Sequence, residues 1–147
     1  MSVLEDLGGA PTVGTVLLVE EDPKIASFIQ KGLRRVGTKV DWVETGTEAL
    51  ALLDRGGVDL TILDLGLPDI DGLEVLRKMR DRGMNLPVVV VTGRSDPRDR
   101  AIAVSLGVSA YLTKPFRWSD LLAAVRTSRD QTASPNPRDA RGMPGQG

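Results

Sequence analysis

The sequence predicts a three-layer α/β/α sandwich around a five-stranded parallel sheet. Three observations carry this. Short apolar runs alternate with helical patterns five times between residues 15 and 128, as in a chain of βα units. One run, 88–91, is four consecutive Val, the continuous apolar strand expected where helices cover both faces. The length of 147 residues suits one domain. A chain of that size buries roughly 68–70% of its unfolded surface and needs no covalent staple. Right-handed crossovers leave few topologies, and ligands of such sheets bind beyond the carboxyl ends of the strands.

The elements follow in order. Residues 16–19 read as the first strand. Asp22-Pro23 then supplies an N-cap and an N1 proline, and Ile25, Phe28, Ile29, Leu33 and Val36 recur at helical spacing until Gly37. Residues 40–43 form the second strand. Thr45 and Glu48 have capping-box spacing at the head of a helix running to Gly56. Residues 60–63 form the third strand, which ends at Asp64. Asp71 and Glu74 open a third helix that passes Met79 and stops near Gly83. The valine strand follows. Asp96-Pro97 starts a fourth helix, closed by Gly107. Residues 110–112 form the fifth strand, and Leu121, Leu122 and Val125 mark the last helix.

Composition excludes several kinds of chemistry. There is no Cys and no His, so no disulfide framework, thiolate metal site or imidazole base is available. Nineteen Lys and Arg against twenty Asp and Glu give a net charge of -1, which does not fit a polybasic nucleic-acid binder. One Tyr, two Trp and two Phe are too few for a base-stacking platform. No apolar run approaches the roughly 18 residues of a membrane span. Residues 1–14 hold Glu5 and Asp6 but no Lys or Arg, unlike the start of a secretory signal, so a cytoplasmic location is expected. Those residues read as a flexible arm, in which Val3, Leu4 and Leu7 could pack as one helical turn. Residues 129–147 carry three Pro and three Gly among few apolar side chains, and disorder is expected there.

The strand ends gather the reactive groups. Glu20, Glu21 and Asp22 follow strand one, Asp64 follows strand three, Thr92 and Gly93 follow the valines, and Lys114-Pro115 follows strand five. Two carboxylates about 4 Å apart repel by roughly 4 kcal/mol at an effective dielectric near 20. Such a cluster calls for a cation or for protons. Carboxylate, carbonyl and water oxygens suit Mg²⁺. An open divalent ion beside a lysine and a hydroxyl makes a phosphate-oxygen site, and the available nucleophile is a carboxylate, which can form an aspartyl phosphate.

The segments Val16-Leu17-Leu18-Val19-Glu20-Glu21-Asp22, Asp64-Leu65-Gly66-Leu67-Pro68-Asp69-Ile70-Asp71-Gly72, Val91-Thr92-Gly93 and Tyr111-Leu112-Thr113-Lys114-Pro115-Phe116 resemble the receiver domain of bacterial two-component response regulators. The likeness spans residues 15–128 and is greatest to the winged-helix transcription-factor branch. It implies a flavodoxin-like sheet of order 2-1-3-4-5. It also implies that Asp64 is the phospho-acceptor and that Glu21, Asp64 and the backbone carbonyl of Gly66 hold Mg²⁺, with Glu20 acting indirectly. Lys114 would bridge the phosphoryl group and the acidic pair, and its bond to Pro115 would be cis. Thr92 would bind the phosphoryl group and Tyr111 would follow it inward as the switch. Gly93 would keep the approach to Asp64 open. The implied donor is a histidine kinase or phosphotransfer protein. The implied output is a protein partner on the face made by helix four, strand five and helix five, with no direct nucleic-acid or membrane contact.

Three departures from the family pattern stand out. Glu21 occupies a metal-ligand position that is usually Asp. The extra methylene moves its carboxylate by about 1.5 Å, which bears on an ion with strict octahedral demands. Mn²⁺ is therefore a second candidate, and a pseudo-receiver binding partners without phosphorylation is the alternative reading. Ser109 and Ala110 replace the Asp pair of the branch's dimer face. The residues after Ser128 are too few for an output domain, so a stand-alone receiver with a natural low-complexity end is expected.

Each residue also has a plainer reading. Asp22 and Asp71 serve as N-caps, Trp42 and Trp118 as packing residues, and Arg94, Arg98 and Arg100 as a solvated helix face. Trp118 is expected beside the output face, which leaves an anchoring role open. Tyr111 could simply pack with its hydroxyl on a backbone group. Arg117 stands where a Ser-like cap is common, so helix five should start weakly. A flavin carrier or phosphatase on the same sheet ranks far lower, because Glu20-Glu21-Asp22 would repel a phosphate in the first loop.

Overall fold

Five parallel strands form one sheet, flanked by helices on both sides. The computed structural model describes the backbone of residues 14–133 and the side chains of 14–128. The expected N-terminal arm, apart from Gly14, and the tail beyond 133 lie outside the described residues. The elements are β1 (Thr15–Val19), α1 (Pro23–Arg35), β2 (Lys39–Val43), α2 (Gly46–Arg55), β3 (Leu60–Leu63), α3 (Gly72–Asp81), β4 (Val88–Thr92), α4 (Pro97–Ser105), β5 (Ala110–Thr113) and α5 (Trp118–Ala133). The strand order is β2-β1-β3-β4-β5, and every pairing is parallel. The fold class and order are those expected.

The helices start where local chemistry starts them. The side chains of Asp22, Thr45, Asp71 and Asp96 accept hydrogen bonds from Lys24 N, Glu48 N, Leu73 N and Arg98 N at 2.8–3.1 Å. Each satisfies one of the amide donors a helix leaves unpaired at its start. Glu48 closes the capping box by accepting from the Glu44 amide and the Thr45 hydroxyl. At α5 the first turn rests on the Arg117 carbonyl, which accepts from Asp120 N and Leu121 N. No side-chain cap is found there among the described residues.

Side chains alternate across the strands and build two cores. Leu17, Val19, Leu63 and Val90 meet Leu50, Leu53, Leu76, Met79 and Ala103 of α2, α3 and α4. Leu18, Ile62, Val89 and Val91 meet Ile29, Leu33, Leu121 and Val125 of α1 and α5. The sheet is therefore apolar over both faces apart from the buried Thr61 of β3, and Glu20, Asp64 and Lys114 collect at its carboxyl edge.

Two expectations differ from the structure. Helix α5 runs past 128 to Ala133, because residues 129–133 hold no breaker. Pro135 is the first, and it disfavours helix only at the residue before it. Trp118 lies against α1, not beside α4 and β5. Its ring crosses Phe28 edge-on at 6.0 Å and 83°, and a Cβ at Gly32 would collide with it. It packs α5 onto α1, the plainer of its two readings.

Candidate functional site

Three strand ends place a carboxylate, a second carboxylate and an ammonium in direct contact. Glu20 leaves β1 with its amide on Val43 O and its carbonyl accepting from Trp42 Nε1 at 2.7 Å. Asp64 leaves β3 with its amide on Val19 O, and Lys114 leaves β5 with its amide on Thr92 O. These backbone bonds continue the ladder, so the side chains are carried by the sheet itself. The Nζ of Lys114 lies 2.9 Å from Glu20 Oε1 and 2.9 Å from Asp64 Oδ2. The Lys114–Pro115 bond is cis, as the family likeness implied.

The remaining carboxylate oxygens are also held. Glu20 Oε2 accepts from Asp22 N at 3.0 Å and Asp64 Oδ1 from Gly66 N at 3.1 Å. Glu20 is 2% exposed and Asp64 7%. Burial pushes the Glu20 carboxyl above its ordinary range, against the opposing pull of the Asp22 amide and Lys114. Burial also disfavours the Lys114 ammonium, but its bonds to Asp64 and Glu20 outweigh this and raise its pKa. Two carboxylates and one ammonium still leave an excess negative charge in a site largely closed to water.

Glu21 does not join them. It is exposed, as is Gly66, and among the described residues no three acidic side chains converge as a metal cage. Glu20 is buried on Lys114, while Glu21, next in the chain, stands exposed at the rim. The expected crowd of three or four carboxylates is therefore two, with Lys114 between them. The oxygen donors present still fit a hard divalent cation, because the cluster is anionic and burial already penalises its charge.

The fourth strand end supplies Thr92, 1% exposed, whose Oγ1 accepts from Arg94 N at 3.3 Å. Gly93 has open space where a Cβ would stand, consistent with an unobstructed approach. Tyr111 is already inside, 8% exposed, with its hydroxyl donating to Arg94 O at 3.1 Å. Its hydroxyl is thus tied to a backbone group, as the plainer reading had it.

The arginine stretch meets expectation in part. Arg98 and Arg100 are exposed on α4 as expected, Arg98 pairing with Asp96. Arg94 precedes α4 and pairs with Asp71 at 2.7 Å, while the Arg100 guanidinium lies 5.4 Å from the centre of the Tyr111 ring. Sequence reasoning also missed Asp69. It accepts from the Gly46 and Thr47 amides at 2.9 Å and from the Thr47 hydroxyl at 2.6 Å, tying the β3–α3 loop to the head of α2. No local signal marks the Asp69 contacts or the Arg94–Asp71 pair, since these partners lie more than twenty positions away.

A family model described as the response regulator receiver domain matches residues 16–126. The chain belongs to this family. Among curated relatives of this receiver, it is 37% identical over 111 residues to the transcriptional regulatory protein TrcR of Mycobacterium tuberculosis, covering 76% of this chain and 43% of that protein. It is 39% identical over 117 residues to the response regulator protein PmrA of Pseudomonas aeruginosa, covering 80% and 53%. The receiver thus spans about half the length of these relatives. Among solved structures, a CheY-like receiver domain protein from Methanospirillum hungatei matches with a TM-score of 0.77 and 27% identity, covering 80% of this chain and 94% of that one. The response regulator TrrA from Thermotoga maritima, solved with Mg²⁺ and BeF, matches with a TM-score of 0.71 and 29% identity, covering 78% and 98%. Residues 16–126 are thus a two-component receiver domain. No helix among its described residues is long and apolar enough to cross a membrane.

Proposed function

We propose that Asp64 accepts a phosphoryl group from the phosphohistidine of a histidine kinase or phosphotransfer protein. A P–O bond forms to the Asp64 carboxylate as the P–N bond of the donor breaks, and the imidazole departs. One observation carries this: Lys114 Nζ sits 2.9 Å from both buried carboxylates. It is already positioned to counter the charge that transfer would bring. Thr92, on the adjoining strand, supplies a hydroxyl to the phosphoryl oxygens.

Asp64, the Gly66 carbonyl and the acidic pair Glu20 and Glu21 are the groups that would hold Mg²⁺, with Mn²⁺ as the second candidate. The bound ion supplies further neutralisation of the transferring oxygens. TrrA, a similar structure, holds Mg²⁺ with BeF, which supports the same ion here. The output is read by a protein partner on the face of α4, β5 and α5. We place the protein in the cytoplasm, acting without direct nucleic-acid contact through its described residues.

The test is mass spectrometry after incubation with a small-molecule phosphodonor and Mg²⁺ or Mn²⁺. One phosphoryl adduct is expected on the wild type and none on Asp64→Asn. An unmodified wild type under every divalent ion overturns the proposal. Glu21→Asp is expected to gain adduct faster, by restoring the shorter carboxylate at the metal position.

A further inference from the structure

Arg94 touches more of the site's surroundings than any sequence signal suggested. Its Nη2 donates to Asp71 Oδ2 at 2.7 Å and to Leu65 O, next to Asp64, at 3.3 Å. Its Nη1 lies 3.8 Å from Asp99 of α4. Its amide donates to the Thr92 hydroxyl, and its carbonyl accepts from the Tyr111 hydroxyl. One residue therefore contacts the acid loop, the hydroxyl proposed to bind phosphoryl oxygens, the head of α3, α4 and the buried tyrosine.

We propose that Arg94 is a positioning residue that couples charge at Asp64 to the seat of Tyr111. Clamped by Asp71, it holds the β4–α4 loop so that its carbonyl meets the Tyr111 hydroxyl. New negative charge at Asp64 competes with Asp71 for the same guanidinium. A phosphoryl group brings about -1.5 to -2 charges and three strong acceptors, against the single carboxylate of Asp71. The guanidinium then shifts its bonds, and the Thr92 hydroxyl, now engaged by the phosphoryl group, gives up the Arg94 amide. Both changes act on the backbone that carries the Tyr111 acceptor. Asp64 already lies close enough to contribute to the raised pKa of Arg94, after the larger effect of Asp71. The resting clamp stands on geometry alone, and the competition rests on the phospho-acceptor reading of Asp64.

The chain has one tyrosine, so 3-fluorotyrosine labelling of the full chain gives one resonance that reports Tyr111. Arg94→Ala is expected to move that resonance toward the position of free fluorotyrosine. Arg94→Lys is expected to stop between the two, since Lys keeps the charge but not the planar fork. Asp71→Asn keeps an α3 cap of equal quality but removes the charge, and should move the resonance the same way by less. An unmoved resonance in Arg94→Ala with a native circular-dichroism spectrum overturns the clamp. If that variant does not fold, an unmoved resonance in Asp71→Asn does so.

Titration with Mg²⁺ and beryllofluoride tests the competition. The wild-type resonance should move on binding, and Asp71→Asn should bind the probe at least about fivefold more tightly, the lower end of typical coupling between sites. Beryllofluoride that binds, seen in its own ¹⁹F spectrum, yet leaves Tyr111 unmoved or binds Asp71→Asn no better, overturns the coupling alone. Absence of binding to the wild type overturns the acceptor reading and the competition with it, while the response of ligand-free Arg94→Ala still decides the clamp.

Discussion

Glu20 and Asp69 are both acids on loops at the carboxyl edge of the sheet, and their surroundings drive them in opposite directions. Glu20 is buried and paired with an ammonium, yet its pKa is raised, with burial the largest cause. Asp69 is exposed and pairs with no cation among the described residues, yet its pKa is lowered below the ordinary carboxylate range, first by the Thr47 hydroxyl and then by the amides of Gly46 and Thr47. Removal from water outweighs an ion pair in one place, while fixed donors at a helix head suffice in the other. The difference assigns the two their roles. A carboxylate that resists its charge is held ready for a cation or a transferable group. One that is content with its charge is a fastening.

The strongest way to break the comparison is to remove the ammonium. Lys114→Met leaves the buried Glu20 and Asp64 without their shared counter-charge. We expect a loss of about 3 kcal/mol at pH 7. The sign with pH follows from the raised carboxyl: protonation relieves the repulsion, so the deficit should shrink as pH falls toward 5. Urea midpoints of wild type and variant at the two pH values check this. A deficit that does not change with pH would mean that the loss is one of packing and not of charge.

A smaller effect is expected at Gly72, where backbone approach shapes the buried side of the comparison. A Cβ there would stand 2.5 Å from Asp64 O and Leu65 Cα, and Gly72 N donates to Leu65 O at 2.8 Å. Neither neighbour is a flexible side-chain end. Gly72→Ala should cost about 2 kcal/mol by overpacking, although alanine favours helix by up to about 1 kcal/mol. Denaturation measures the cost, and amide chemical shifts at Asp64 and Leu65 should move with it.

The legible parts of the molecule were those written locally. The caps at Asp22, Thr45, Asp71 and Asp96 depend on residues two or three positions away, and all four stand as expected. The Glu20–Asp64–Lys114 cluster was legible because a parallel sheet delivers every strand end to one edge. What failed to show depends on direction or distance. Glu21 follows a buried acid yet is itself exposed, a difference that spacing in the sequence does not reveal. Arg94 reads as part of a helix face until Asp71 and Tyr111, far along the chain, are seen beside it. Trp118 could not be placed on α1 without knowing that Gly32 leaves room for its ring.

The exposed side of the comparison carries the mildest prediction. Asp69→Ala removes the acceptor of two amides and a hydroxyl at the head of α2. Lost caps of this kind cost about 1 kcal/mol, and the site's exposure to solvent keeps the figure from being larger. The folded-state pKa of Asp69 is depressed, so its contribution is fully present above the ordinary carboxylate value and disappears as pH falls through the folded one. Wild type and Asp69→Ala should therefore differ in thermal midpoint at pH 7 and draw together progressively as pH falls below about 4, the reverse of what buried Glu20 would do. A gap that stays constant into acid would mean that the Asp69 carboxylate contributes by shape, not charge, and that the contrast with Glu20 reflects burial alone.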